Sequence, residues 1–286
     1  MDRILFGDNQ FYGVNHLSDE VGRQTAIKFG TPSSVLNFLS YGIDEGITTF
    51  VCSTRSQIIP LMELIKHDIK FKNYKVYPTI PDVNKYNNAL GEFGIMGLIK
   101  NFLPKNLFSF FGKSTFAFAT KDILSMMEVL IDLEMKIFEG INTDVVFIQN
   151  NVTDLILGLK MKDIFLTFSS YIRNKYNAEP GFMTMNLPKL VDFLEISGVK
   201  DPIICSSINK AGFRMFGGRE LYEYYLLKKK YRYIAMQPLA AGAITPEEAF
   251  QYLSRFDNIV SVLFGSSNKS HVKITKEYIL KYSKQS

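Results

Sequence analysis

Two stretches, Tyr233–Ile244 (YIAMQPLAAGAI) and Ile259–His271 (IVSVLFGSSNKSH), decide how this chain folds. Each opens as a short apolar run with strand character. Each then breaks into small and polar residues, Gln237-Pro238 leading into Ala-Ala-Gly in the first and Gly265-Ser266-Ser267-Asn268 in the second. Helical periodicity follows both, over 246–254 and 268–281. Strand, polar loop and helix is therefore the repeating unit to look for upstream.

It recurs along the chain. Strand-like runs are expected at Ile4–Gly7, Thr48–Cys52, Lys75–Thr79, Asp144–Gln149, Gly181–Met185 and Pro202–Ser206. Helices fit between them at 34–45, 57–67, 121–139, 153–175, 187–197 and 217–229. Eight strands alternating with eight helices imply parallel strands joined by right-handed crossovers, and in 286 residues this favours closure into a (β/α)8 TIM barrel. The strands are short and almost continuously apolar, as expected when both faces are covered. A doubly wound open sheet is the competing arrangement, but Gly7-Asp8-Asn9-Gln10 after the first strand is a polar loop and not a G-x-G-x-x-G phosphate cradle.

A hydrophobic fraction of 47% with 21% charged residues describes a globular chain, expected to form a single barrel domain over 1–286. Cys52 and Cys205 are too few for a disulfide framework, and three histidines leave little material for a metal site, so no metal is expected and a reducing, cytoplasmic setting is. Neither a signal peptide nor an uninterrupted apolar span is evident, so no membrane partner is expected. The net charge of +5 is scattered apart from Lys228-Lys229-Lys230, which reads as a helix end, and no nucleic-acid module accompanies it. One connection is out of proportion: residues 80–120 follow the third strand as an insertion, Phe-rich from Phe102 to Phe118. It reads as a lid or a homodimer contact through 102–118, as a membrane-dipping patch, or as a subsidiary core on the barrel rim.

Barrel active sites lie at the C-terminal ends of the strands. There the chain places Asp8, Asn9, Gln10, Tyr12 and His16; Cys52 and Arg55; Thr79, with Lys85 and Tyr86 beyond it; Gln149 and Asn150; Asn186; Asn209, Lys210 and Arg214; and Gln237. Asp8, His16, Cys52, Lys85, Tyr86 and Lys210 are the catalytic candidates. Asn9, Gln10, Tyr12, Arg55, Gln149, Asn150, Asn186, Asn209 and Arg214 are the substrate-binding ones. A carboxylate at a strand exit is costly to bury unpaired, so Asp8 should meet a cation, with Lys85 and Lys210 the expected partners, or a ligand. Cys52 reads either as a small buried hydrophobe or as a nucleophile or acid whose thiolate Arg55 would favour. His16 reads as a structural histidine or a general base, whereas His67 and His271 fall within helices. The Gly265–Asn268 loop, at a helix N-terminus, reads as a plain cap or as an anion site, which makes a small anionic molecule the expected ligand.

IAMQPLAAGAITPEEA and VLFGSSNKSH resemble recurrent segments of the aldo-keto reductase superfamily. The match is most specific over about 232–282, and the GITTF entry to the second strand extends it weakly. The resemblance implies the barrel fold and NADP or NAD as cofactor. It places Gln237, Pro238 and Leu239 along the nicotinamide and diphosphate, and Gly265, Ser266, Ser267 and Asn268 around a nucleotide phosphate. It does not supply the family's catalytic set. Where the family keeps an Asp, a Tyr, a Lys and a His after strands two, two, three and four, this chain has Cys52, no Tyr within 53–64, Thr79, and Gln149 or Asn150. Lys85 with Tyr86 is a possible replacement for the proton-donating pair. The family's adenine-binding Glu and Asn are replaced by Lys273 or Ile274 and by Thr275. Three functions follow: a divergent oxidoreductase acting with NAD(P)H on a small polar, sugar-like substrate; a lyase, isomerase or transferase on a phosphorylated or nucleotide-linked molecule; or a catalytically silent scaffold.

Overall fold

The computed structural model describes residues 1–14, 18–82 and 123–283. His16, Lys85, Tyr86 and the Phe-rich stretch 102–118 lie outside them. Eight strands close into a parallel barrel in chain order: β1 Ile4–Gly7, β2 Thr49–Ser53, β3 Lys75–Ile80, β4 Val145–Ile148, β5 Glu179–Thr184, β6 Ile203–Ser207, β7 Arg232–Met236 and β8 Ile259–Phe264. Closure is made by β1, where Phe6 stands opposite Phe50 of β2 on one side and Phe264 of β8 on the other.

The helices are α1 Asp19–Lys28, α2 Pro32–Asp44, α3 Ile58–His67, α4 Ile123–Met135, α5 Asn150–Leu159, α6 Lys162–Tyr176, α7 Leu187–Ser197, α8 Arg219–Lys228, α9 Pro246–Leu253 and α10 Lys269–Tyr282. Two features depart from the sequence reading. α1 was not expected, because it buries only Gly22 and so lacks an apolar stripe, but its start is marked by Ser18, whose hydroxyl accepts from Val21 N at 3.3 Å, and by Asp19 and Glu20. The single helix expected over 153–175 is two, broken at Lys160, which turns left-handed at φ 58° and returns its N–H to the carbonyls of Ile156 and Leu157. Elsewhere the caps agree with local chemistry. Thr245 and Glu248 form a reciprocal capping box on α9, with Pro246 at its first position.

Side chains alternate across the barrel wall. Leu5, Val51, Tyr77, Phe147, Met183, Cys205, Ile234 and Leu263 fill the interior, and each is buried. Their neighbours Phe6, Phe50, Cys52, Val146, Phe182, Ile204, Ala235 and Phe264 face the helices. The interior leaves no room to spare: Phe147 stands in register with Gly181, and a Cβ added to Gly181 would lie 2.3 Å from the Phe147 ring. Among the described residues no helix is long and apolar enough to cross a membrane.

Gly181→Ala is therefore expected to destabilise the barrel by about 1–3 kcal/mol through overpacking. Phe147→Leu in the same chain should recover part of the loss, both read by denaturant unfolding.

Candidate active site

A cavity of about 490 Å³ opens at the C-terminal mouth of the barrel. It brings together the ends of β1, β2, β3, β7 and β8, with Val14, Val21 and Thr25 closing one side from the α1 region. A smaller hollow of about 280 Å³ lies among residues 65–69, Phe71, Lys72, Tyr74 and residues 140–142. That hollow faces the N-terminal ends of the strands, where barrels carry stability and not chemistry.

The polar centre of the mouth is Asp8. Its Oδ2 accepts from both Ser53 N and Ser53 Oγ at 3.0 Å, and Arg55 Nη2 stands 3.6 Å away. Arg55 Nε donates to Ser53 Oγ at 2.7 Å, so Arg55, Ser53 and Asp8 form one chain of donors. The guanidinium also lies over the ring of Tyr12, 4.4 Å from its centroid, a cation–π contact. Asp8 is only 8% exposed. Burial pushes its carboxyl above the usual carboxylate range, with Arg55 and the Ser53 hydrogen bonds pulling back only in part. Burial also raises the Tyr12 phenol, and the neighbouring Cys52 and Asp8 add to the effect against Arg55.

On the opposite rim the backbone is strained. Gln237, Ala240 and Ala241 take φ of 53°, 47° and 59°, three non-glycine residues in the left-handed region within one loop after β7. Each costs on the order of 1–2 kcal/mol, a cost that tends to be concentrated at functional sites. The Gln237 side chain is tied down by Ser207 Oγ, which donates to its Oε1 at 2.7 Å. After β8, Gly265 is approached so closely by Gln10 that a Cβ there would sit 2.1 Å from Gln10 Oε1. Gln10 in turn donates to the Gly7 carbonyl at 2.6 Å. Lys28 of α1 donates to the Ser267 carbonyl at 2.5 Å, and Asn268 caps α10 through Ser270 N at 2.8 Å.

Asp8, Asn9, Gln10, Arg55, Gln149, Asn150, Gln237, Pro238, Leu239, Gly265, Ser266 and Ser267 all line this one cavity. Other expected residues do not. Cys52 is 1% exposed and packs outward among the helices, its thiol pushed well up by burial and by the charge of Asp8. The reason is the two-residue period of a strand: Val51 and Ser53 face inward, so Cys52 between them cannot. Lys210 pairs with Glu248 at 3.1 Å and not with Asp8, whose cation is Arg55. Asn186 caps α7, and Asn209 braces its own loop through Phe213 N and O at 2.8 and 2.9 Å. Arg214, left-handed at φ 53°, lies over Phe213 outside the cavity, and Tyr12 backs Arg55 without lining the mouth. Asn268 serves as a cap and is likewise outside the lining. Sequence reasoning missed Ser53, Thr25 and His271, all of which line the mouth. No local signal marks the first, whereas the Ser18 cap marks the helix that carries the second. Among the described residues, no group of three or more His, Cys, Asp or Glu is arranged to hold a metal ion.

The chain matches no family model and no curated protein. Solved structures do match it. Two structures of a Pseudomonas aeruginosa protein assigned to the aldo-keto reductases superpose with a TM-score of 0.61 at 11% identity, over 98% of this chain and 90% of that one. Gox0644 in its apo form superposes with a TM-score of 0.51 at 9% identity, over 100% and 90% of the two chains. At such identities the likeness shows the fold alone, the (β/α)8 barrel that the alternation of strand and helix implied.

The raised Asp8 carboxyl has a measurable consequence. With its folded value above the unfolded one of about 3.9, the stability Asp8 contributes is greatest below that pH and is lost as pH rises through the folded value, by about 1.4 kcal/mol per unit of difference. Asp8→Asn keeps an acceptor for Ser53 and removes the titration. The variant should therefore gain on the parent protein between pH 4 and 8 in thermal unfolding, and a constant difference across that range would contradict the assignment.

Proposed function

We propose that the protein is an oxidoreductase of aldo-keto reductase type, which binds NADPH or NADH along the loops after β7 and β8 and reduces the carbonyl of a small polar substrate in the mouth. One observation carries the reading: a single cavity joins the strained Gln237–Ala241 loop and the Gly265–Ser267 loop to the Asp8–Ser53–Arg55 cluster. The residues present fit the nicotinamide and diphosphate half of such a cofactor. Pro238 and Leu239 offer an apolar wall, and Gly265, lacking a Cβ, lets backbone be approached closely beside the hydroxyls of Ser266 and Ser267. The adenine end fits less well, since Thr275 is turned to the buried face of α10.

A reduced nicotinamide supplies hydride to a carbonyl carbon, and the carbonyl oxygen must then receive a proton. In place of the family's missing Tyr and Lys, Asp8 is the group that holds it. Two donors from Ser53 occupy Oδ2, which leaves Oδ1 as the oxygen to carry the proton. Burial favours that neutral form. Arg55 orients the cluster through Ser53 and offers positive charge to the developing oxyanion. A non-redox reaction on an anionic small molecule would use the same mouth, and the buried Thr275 at an adenine-contact position is the observation in its favour.

Titration with NADPH and NADH separates these readings. Binding at micromolar concentration, weakened at least tenfold by Ser267→Glu through like-charge repulsion, is expected, and no change in nicotinamide fluorescence at high micromolar protein would end the oxidoreductase reading. In the reducing direction, Asp8→Asn should lower kcat by about 10²–10⁴. Activity of the parent protein should fall as pH rises through the Asp8 value, because only the protonated carboxyl donates; a flat profile would remove Asp8 from that role.

A further inference from the structure

Arg55 has more donors than its surroundings use. A guanidinium carries five N–H groups in a fixed plane. Here the Nε–H is committed to Ser53 Oγ at 2.7 Å, whereas the 3.6 Å from Nη2 to Asp8 Oδ2 is too long for a hydrogen bond. Among the described residues nothing accepts from Nη1 or Nη2. The side chain is nonetheless held: its head lies over the Tyr12 ring, its Nε is tied to Ser53, and it is 21% exposed, facing the cavity. A restrained guanidinium with an unused terminal fork matches two coplanar oxygens of an anion. The charges select which anion. Among the described residues of the lining, Arg55 is the one Arg or Lys, and with the Asp8 carboxyl in its neutral form a single guanidinium balances one negative charge of a ligand and not two.

We propose that Arg55 anchors a carboxylate of the substrate, so that the site takes small oxo acids in preference to neutral carbonyl compounds. The assignment of oxo acids rests on the oxidoreductase reading; the carboxylate anchor itself does not. The apolar side chains that share the mouth, Met183, Met236 and Leu263, suit a short hydrocarbon remainder and leave Arg55 as the group that discriminates by charge.

The test is equilibrium binding of oxamate, with oxamide as its neutral counterpart and inorganic phosphate as the competing anion. Calorimetry on the full chain, with and without NADPH, reads all three. Oxamate is expected to bind at least tenfold more tightly than oxamide or phosphate, and Arg55→Gln to lose that preference. Arg55→Lys keeps the charge beside Asp8 but has no fork, so it should lose at least tenfold in oxamate affinity while folding normally, and NADPH affinity should be unchanged. Oxamate binding that is absent, equal to that of oxamide, or unaltered in Arg55→Lys, or phosphate binding that is tighter than that of oxamate and is lost in Arg55→Lys, would overturn the proposal. Nicotinamide titration on the same samples keeps the two readings apart: Arg55-dependent oxamate binding without cofactor binding would leave the anchor standing and end the redox assignment, and cofactor binding without oxamate binding would do the reverse.

Discussion

The mouth is one cavity because β1 pairs with β8. Backbone hydrogen bonds that set Ile4, Leu5 and Phe6 against Val262, Leu263 and Phe264 bring the two ends of the chain side by side. They also place Asp8 and Gln10, just past β1, against Gly265, just past β8. Without that closure the Asp8 cluster and the Gly265–Ser267 loop would be on separate surfaces. Parallel pairing of this kind requires long crossovers, which is why helices cover the whole outer wall and why the interior can be filled with Leu5, Tyr77, Phe147 and their neighbours.

Inside that frame the cost of burying Asp8 organises the site. A carboxylate removed from water needs hydrogen bonds and a cation, and here Ser53 gives two of the former while Arg55 gives the latter at a distance. The compensation is incomplete, so the carboxyl stays readier to hold a proton than an exposed aspartate. The same incompleteness leaves the Arg55 fork directed to the cavity and not spent on Asp8. Strain after β7 is a second such departure from local preference: Gln237, Ala240 and Ala241 are held left-handed where glycine would be easier, and the Ser207–Gln237 hydrogen bond helps to hold the loop there.

Much of this was legible beforehand. The alternation of strand and helix is a property of local periodicity, and the polar residues that end each strand could be read from Asp8 to Ser267 without coordinates. Phase was not legible. TFVCS is buried on both faces, and Cys52 and Ser53 are both small, so burial alone does not say that Ser53 points inward and Cys52 outward. Pairing was not legible either. Lys210 and Arg55 are both cations near strand ends, and only their positions show that one answers Glu248 and the other Asp8.

The amino-acid sequence by itself determined the barrel, through eight repeats of one local pattern, and the loops after β7 and β8, through the turn and capping chemistry of Pro238, Gly265 and Asn268. Only the tertiary structure decided which polar side chains act together. Ring closure sets which strand ends are neighbours, and the inward or outward turn of each residue depends on contacts with strands and helices far away in the chain. Local propensity encodes neither, so Ser53, Arg55 and Asp8 became one cluster only through the pairing of β1 with β2, and met the loop after β8 only through the pairing of β1 with β8.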